Sequence, residues 1–284
     1  MAAITDLSDL INRQTGGNSG TPENVWFHKV PRATTGVAVP ALIAGRAASL
    51  WTYEGTPSGG ATPTSAEIPD RTTTGAIQFT PPGGGRDKHL IGAAVAPSVA
   101  GVFLLYDRLF HIGGLSGTST ADQTVQGSPA SPALTRNTGG DGNIAWYEIY
   151  SQIGATSGVT LTMYYTDQDG NAAQSPTMNI GATGFNTVTR AQRIPLAAGD
   201  TGIRAVEKIS LSGTTGAVGN FGITIAQPLA WIPVGAAGSA GWRDYTTGLP
   251  GIPTINPDAC LALLFIPATT VAPEVWGCFS TVEK

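Results

Sequence analysis

The chain has 284 residues, of which 12% are charged and 41% hydrophobic, and its formal net charge is −4. That hydrophobic share excludes a disordered chain, which combines low hydrophobicity with high charge. A mildly acidic balance without a basic run excludes nucleic acid as the main partner, and no 18-residue apolar run is present to span a membrane.

Gly (38) and Pro (20) imply many turns and few long helices. The basic residues divide into eleven Arg and four Lys. Arg suits interfaces and fixed hydrogen-bond networks, whereas Lys is the default of a freely solvated surface. The balance therefore predicts a surface that meets protein as much as water.

In chain order, the first element is a short helix. Thr5 and Asp6 are candidate caps, Leu7, Leu10 and Ile11 recur at i, i+3 and i+4, and Gly16-Gly17 stops it. Residues 1–22 read as an N-terminal helix and flexible arm, too short to be stable without a partner for its apolar face. The segment MAAITDLSDLINRQTGG lacks the basic and continuous apolar regions of a signal peptide.

From residue 23 the period becomes two. ENVWFHKV (23–30), SLWTYEG (49–55), AWYEIYSQI (145–153) and VTLTMYYT (159–166) read as strands. VEKISLSG (206–213) and FGITIAQPLAWIPV (221–234) read as a further pair joined by TTGAVGN. CLALLFIP (260–267) is a continuous apolar run, expected of a central strand buried on both faces. Residues 55–76, 113–143 and 235–258 read as long loops rich in Gly, Ser, Thr and Pro. The expected fold is all-β, with residues 23–284 forming a β-sandwich or jelly-roll-like body.

The stretch LLYDRLFHIGG (104–114) gathers the most chemistry. On a regular strand Leu105, Asp107, Leu109 and His111 share one face, and Tyr106, Arg108, Phe110 and Ile112 the other. Asp107 and His111 are then about 13 Å apart and Asp107 and Arg108 point oppositely, so neither combination is a pair. A strand whose polar groups bind neighbouring strands or a neighbouring subunit is the expected reading.

Other motifs are weak. His28, His89 and His111 stand alone, without zinc-ligand spacing. PPGGGRDKHL (81–90) lacks the G-K-[ST] ending of a phosphate loop and reads as a turn. DQDGN (167–171) does not put its Gly at the sixth position of an EF-hand loop, has Met178 where the bidentate Glu belongs, and reads as a hairpin turn. Trp26, Trp51, Trp231, Trp242 and Trp276 are able to stack on sugars but read first as core and interface anchors. No catalytic residue, cofactor or metal is expected. Cys260 and Cys278 read as free, buried thiols, with a single bridge as the alternative.

LYDRLFHIGGLSGTSTADQT (105–124), AAGDTGIRAVEKISLSGTTGAVGNFGITIAQPLA (197–230) and the opening MAAITDLSDLINR resemble sequence from structural proteins of tailed bacteriophages. The resemblance implies a non-enzymatic virion protein, most like a capsid decoration (cement) protein, often trimeric, whose partners are the major capsid protein or other virion proteins. A tail- or neck-associated protein and a receptor- or carbohydrate-binding module are the alternatives; a depolymerase would need scattered carboxylates to converge. The interface candidates are Leu7, Leu10 and Ile11 on the arm, with Arg32, Arg46, Arg71, Arg108, Trp242 and Arg243 on the body.

Overall fold

The computed structural model describes residues 4, 6–33, 39–181, 186–246 and 251–284. Helix α1 spans Leu7–Gln14, and the Asp6 carboxylate accepts from the Asp9 amide at 2.8 Å as its N-cap; Thr5 lies outside the described residues. Gly16 ends it in the left-handed region, at φ 86°, where a side chain would be strained.

The strands are β1 (Glu23–Ala33), β2 (Ala48–Ser49), β3 (Tyr53–Thr56), β4 (Lys88–Pro97), β5 (Gly101–Leu115), β6 (Gln123–Thr124), β7 (Ile144–Ser151) and β8 (Thr160–Asp167). After them come β9 (Thr177–Asn179), β10 (Ala191–Arg193), β11 (Ile203–Leu211), β12 (Asn220–Val234), β13 (Gly241–Asp244), β14 (Thr254–Ile255), β15 (Leu261–Pro267) and β16 (Val275–Glu283). Among the described residues all pairings are antiparallel, in three sheets. Sheet 1 runs β13-β4-β16-β1-β3, with β14 also on β4; sheet 2 runs β10-β7-β12-β5-β15-β2; sheet 3 runs β6-β11-β8-β9.

The body is an all-β sandwich built around sheet 2. Phe103, Leu105, Ile232, Leu263 and Phe265 of sheet 2 pack against Val25, Phe27, Val95 and Phe279 of sheet 1. Farther along the same long strands, Phe110, Ile112, Tyr147, Phe221 and Ile223 pack against Leu161, Met163, Val206 and Ile209 of sheet 3. The 15-residue strands β5 and β12 thus serve two cores. The opposite face of sheet 2 buries Leu104, Tyr106, Trp146, Cys260 and Leu264 with Trp51.

Several sequence expectations are corrected. Residues 206–213 and 221–234 are not a pair: β11 joins β8 and β6 in sheet 3, while β12 joins β5 and β7 in sheet 2. The segment 49–55 is two pieces, β2 in sheet 2 and β3 in sheet 1, broken by a turn at Trp51. The 113–143 region opens with the end of β5, and 235–258 contains β13 and β14. Strands β4 and β16, which the alternation does not mark, form the centre of sheet 1. Residues 261–267 are a buried inner strand between β5 and β2, as their apolar run implies. DQDGN is a turn, with Asp167 accepting from the amides of Asp169 and Asn171. Both cysteines are free; Cys260 is buried, but Cys278 is only half-buried.

Candidate functional site

Two features stand apart from ordinary sandwich packing. The first is the outer face of sheet 1. In β1, Val25 and Phe27 point into the core, so the alternation turns Trp26 and His28 outward. The register lines up Trp26 with Cys278, Cys278 with Ala94, and Ala94 with Trp242, one row across four strands. The next row runs Thr56, His28, Trp276, Ala96. Trp26 is 71% exposed, Trp242 57% and Trp276 47%. Three strand spacings put Trp26 and Trp242 about 14 Å apart.

Between the rings lies an open apolar groove of about 370 Å³, bordered by Trp26, Trp276, Ala94, Ala96 and Cys278. The His28 ring stacks on Trp276 at 4.8 Å between centroids and 10° between planes. Its Nε2 meets Glu274 Oε1 at 2.7 Å, which fixes the stack.

Helix α1 covers one end of this face. Leu10 packs on Ile91 and Val282, Arg13 Nη1 donates to the Glu283 carbonyl at 3.3 Å, and Lys284 Nζ reaches Asp9 at 3.1 Å. Leu7 and Ile11, beside Leu10 on the helix wheel, stay exposed. The apolar stripe of α1 is therefore half covered by its own body.

The second feature is the polar network behind LLYDRLFHIGG. Between β5 and β12 the register slips at Leu109: Arg108 aligns with Ala226, but Phe110 aligns with Ile225. This β-bulge inserts one residue and reverses the alternation beyond it. Arg108 and His111, expected on opposite faces, share one face, and Arg108 Nε donates to His111 Nδ1 at 2.8 Å. Asp107 stays on the other side, where Arg136 grips it with two bonds of 2.9 Å and the Cys260 amide donates to it at 2.8 Å.

Arg108 is fully buried, with its guanidinium 4.6 Å from the Trp51 ring centroid. It donates to Glu148 Oε2 at 2.8 Å, Tyr150 Oη at 2.9 Å and Tyr106 Oη at 3.3 Å. Thr224 Oγ1 also donates to Glu148 Oε2, at 2.7 Å. Burial raises the Glu148 carboxyl, and the Arg108 charge more than reverses that, leaving it below its ordinary range. Burial and then the Arg108 charge push the His111 imidazole down to about 2, so it is neutral at any physiological pH. Because Nδ1 accepts from Arg108, the ring proton is on Nε2, which faces Glu67 Oε2 at 3.4 Å.

The remaining interface candidates are dispersed. Trp242 is on the outer face of sheet 1, and the neighbouring Arg243 is half-buried with its guanidinium 5.4 Å from the Tyr245 ring. Arg71 lies 3.7 Å from Asp258. Arg46 borders a shallow pocket with Ala41, Thr187 and Arg190. The side chain of Arg32 lies outside the described residues. Arg108 and Leu10 are buried within the chain itself. Composition did not single out Trp26 and Trp276 above other aromatics, nor Arg136 and Glu148 as the partners of Asp107 and Arg108. The one available signal was that outward positions of β1 and β16 carry Trp and Cys where solvent-facing strands carry Lys, Glu or Thr.

Among the described residues no helix is long and apolar enough to cross a membrane, and no group of three or more His, Cys, Asp or Glu is placed to hold a metal. No protein-family model matches the sequence, and no curated protein matches it. Among solved structures, the chain is similar to the VP2 subviral particle of infectious bursal disease virus at 8% identity, over 92% of this chain and 80% of that one, with a TM-score of 0.19. The T=1 particles derived from the same virus give 9% identity over 93% and 78%, with a TM-score of 0.16. An overlap of that size does not define a shared fold.

Proposed function

We propose that the chain is a non-enzymatic structural protein of a virus particle, a head decoration (cement) protein that binds and stabilises the capsid lattice. The observation that carries this reading is the uncovered outer face of sheet 1, with Trp26, Trp242 and Trp276 spaced by Ala94, Ala96 and Cys278. Together these rings expose roughly 250–450 Å² of surface, as much as the largest apolar patch of a typical monomer. That is about half of one side of a standard protein–protein interface.

The chemistry of the groove favours a protein occupant over a glycan there. A sugar needs several well-placed hydrogen-bonding groups, whereas the groove between Trp26 and Trp276 offers mainly Phe27, Ala94, Val95, Ala96 and Cys278. Apolar side chains of the major capsid protein, or of another virion protein, are the fitting partners. Leu7 and Ile11 of α1, the helix packed at one end of this face, are exposed as well, and the resemblance of 105–124 and 197–230 to phage structural proteins agrees with the reading.

The buried network supports a structural rather than catalytic role for LLYDRLFHIGG. A neutral imidazole whose Nδ1 is filled by a guanidinium, and whose Nε2 already carries its proton, has no lone pair to take a proton from a nucleophile. Stabilisation of the lattice follows by mass action, since a protein that binds only the assembled shell shifts assembly toward it, and repeated weak contacts add avidity. A homotrimer is the expected unit.

The test is co-sedimentation of the purified chain with shells assembled from the coat protein of the same virus. Trp26→Ala is expected to weaken binding by about 30-fold, the 2 kcal/mol of an interface hot spot. Trp231→Ala, an exposed position on sheet 2, is expected to bind normally. Binding unchanged by Trp26→Ala and Trp276→Ala refutes the docking face; attachment to isolated tails instead of shells moves the protein to the tail or neck.

A further inference from the structure

The segment 57–76 folds across sheet 2 above the Arg108 network and encloses a second, chemically different cavity. Its volume is about 300 Å³, and its walls include Trp51, Thr62, Thr64, Glu67, Thr74 and His111. We propose that this cavity is a binding site for a single neutral sugar ring, a function separate from lattice docking.

The walls are held in place without a ligand. Glu67 and His111 exchange both backbone hydrogen bonds, at 2.9 and 3.1 Å, as an isolated antiparallel bridge. Trp51 Nε1 donates to the Ala61 carbonyl at 2.9 Å. Gly60 lies so close to the indole that a Cβ there would be 2.1 Å from Trp51 Cε2. Gly75, at φ +103°, backs Gly60 with 2.5 Å left for any Cβ, and the Pro63 carbonyl is seated equally tightly on Gly113. Contacts this close leave no slack for the cavity to collapse.

The polar groups converge as donor and acceptor. His111 presents an Nε2–H whose bond to Glu67 is long, at 3.4 Å, so it is free to strengthen onto a ligand oxygen. The other Glu67 oxygen accepts from Ser65 Oγ at 2.9 Å, which orients a half-exposed carboxylate at the cavity mouth. Thr62, Thr64 and Thr74 are exposed on this wall, with their hydroxyls open to water or to a ligand. Thr73 differs, since its hydroxyl is spent on Asp70.

That set selects a class of ligand. An anion meets the Glu67 carboxylate, no Lys or Arg is among the lining residues, and Arg108 is occupied behind the imidazole by His111, Glu148, Tyr150 and Tyr106. A metal ion finds one carboxylate and an imidazole nitrogen that already carries its proton. An apolar ligand leaves three hydroxyls and a carboxylate unpaired, at a cost for each. A vicinal diol satisfies the carboxylate as donor and the imidazole and threonines as acceptor or donor. The volume is at the lower end of small-molecule sites, room for one ring. Hydrolysis of a glycoside needs a second carboxylate within about 5–10 Å and open to the ligand. Glu67 is the one carboxylate among the cavity's lining residues, and Glu148 is sealed behind Arg108, so the walls themselves supply no such pair.

The test uses the full chain and saturation-transfer NMR with the methyl glycosides of glucose, galactose, mannose and N-acetylglucosamine. At least one probe is expected to bind the wild type with a Kd in the millimolar range or below. Glu67→Ala is expected to weaken that binding tenfold or more, and Trp26→Ala/Trp276→Ala to leave it unchanged. Thr64→Val, which removes one hydroxyl and keeps the shape, is expected to weaken it severalfold and guards against a loop disturbed by Glu67→Ala. The proposal is overturned if no probe binds at about 50 mM, or if binding is lost in the Trp variant and kept in the Glu67 and Thr64 variants.

Discussion

Replacing Arg108 by Met strands the Glu148 carboxylate inside sheet 2. Arg108 makes four side-chain hydrogen bonds, to His111, Tyr106, Glu148 and Tyr150, and is fully buried. Without it Glu148 Oε2 keeps only neutral donors, Thr224 at 2.7 Å and Tyr150 at 3.1 Å. Removing one partner of a buried ion pair costs about 3–5 kcal/mol, because the other charge remains without compensation. The unfilled Nδ1 of His111 adds about 1–3 kcal/mol. Against a typical total stability of about 5–15 kcal/mol, Arg108→Met is close to the limit of folding. Glu148→Gln leaves the guanidinium uncompensated and carries a similar penalty. The double variant removes both charges and is expected to be more stable than the sum of the single effects implies, by about 2 kcal/mol or more. Urea unfolding followed by tryptophan fluorescence and by circular dichroism, with coincident transitions required, measures all four corners of the cycle. Additivity within about 0.5 kcal/mol would show that the two charges do not stabilise each other.

Three further outcomes follow from the same geometry. His111 is held neutral in the folded state and has an ordinary imidazole pKa when unfolded, so the unfolded chain binds the extra proton below about pH 6.5. Stability at pH 5 is expected to be about 2 kcal/mol below that at pH 7 from this group alone, and the wild-type minus His111→Gln difference in urea unfolding isolates it from Glu67, Glu148 and the tyrosines; an identical pH slope in both proteins contradicts the assignment. Burial pushes the Cys260 thiol up to about 12, while Cys278 is half-buried on the outer face. One thiol is therefore expected to react with a disulfide reagent in the native protein and two after unfolding; two fast native thiols, or none after unfolding, refute this placement. Deletion of residues 1–20 uncovers Ile91 and Val282 and removes Leu10, worth about 2–3 kcal/mol of burial. The truncated body is expected to melt several degrees lower yet stay folded and keep its mass by light scattering, and a chain that no longer folds rejects the arm as a separable element.

The limits of the sequence reading trace to particular residues. The Asp6 cap, the Gly16 stop and the apolar run 261–267 are local signals, and each matches the structure. The slip at Leu109 is not local: nothing within 104–112 marks an extra residue, and only pairing with β12 shows that Leu109 is extra. The one error reverses which of Asp107 and Arg108 shares a face with His111. The pairing of 206–213 with 221–234 failed because a seven-residue connection is compatible with a hairpin, yet these strands belong to different sheets. Strands β4 and β16 carry no alternation in the sequence, because their outward residues, Ala94, Ala96, Trp276 and Cys278, are no more polar than their inward ones. The absent alternation and the proposed docking face thus have one origin, an outer sheet surface not composed for water. The cavity over His111 was beyond reach, since it depends on residues 51, 67 and 111 meeting through the fold.

The central claim is that the Trp26–Trp276–Trp242 face is covered in the assembled particle. Hydroxyl-radical footprinting with mass spectrometry, on the free protein and on purified particles containing it, reads each tryptophan separately. Oxidation of Trp26 and Trp276 is expected to fall at least tenfold on assembly, while Trp231 reacts equally in both. Equal oxidation of Trp26 and Trp276 in the free and assembled states would contradict it.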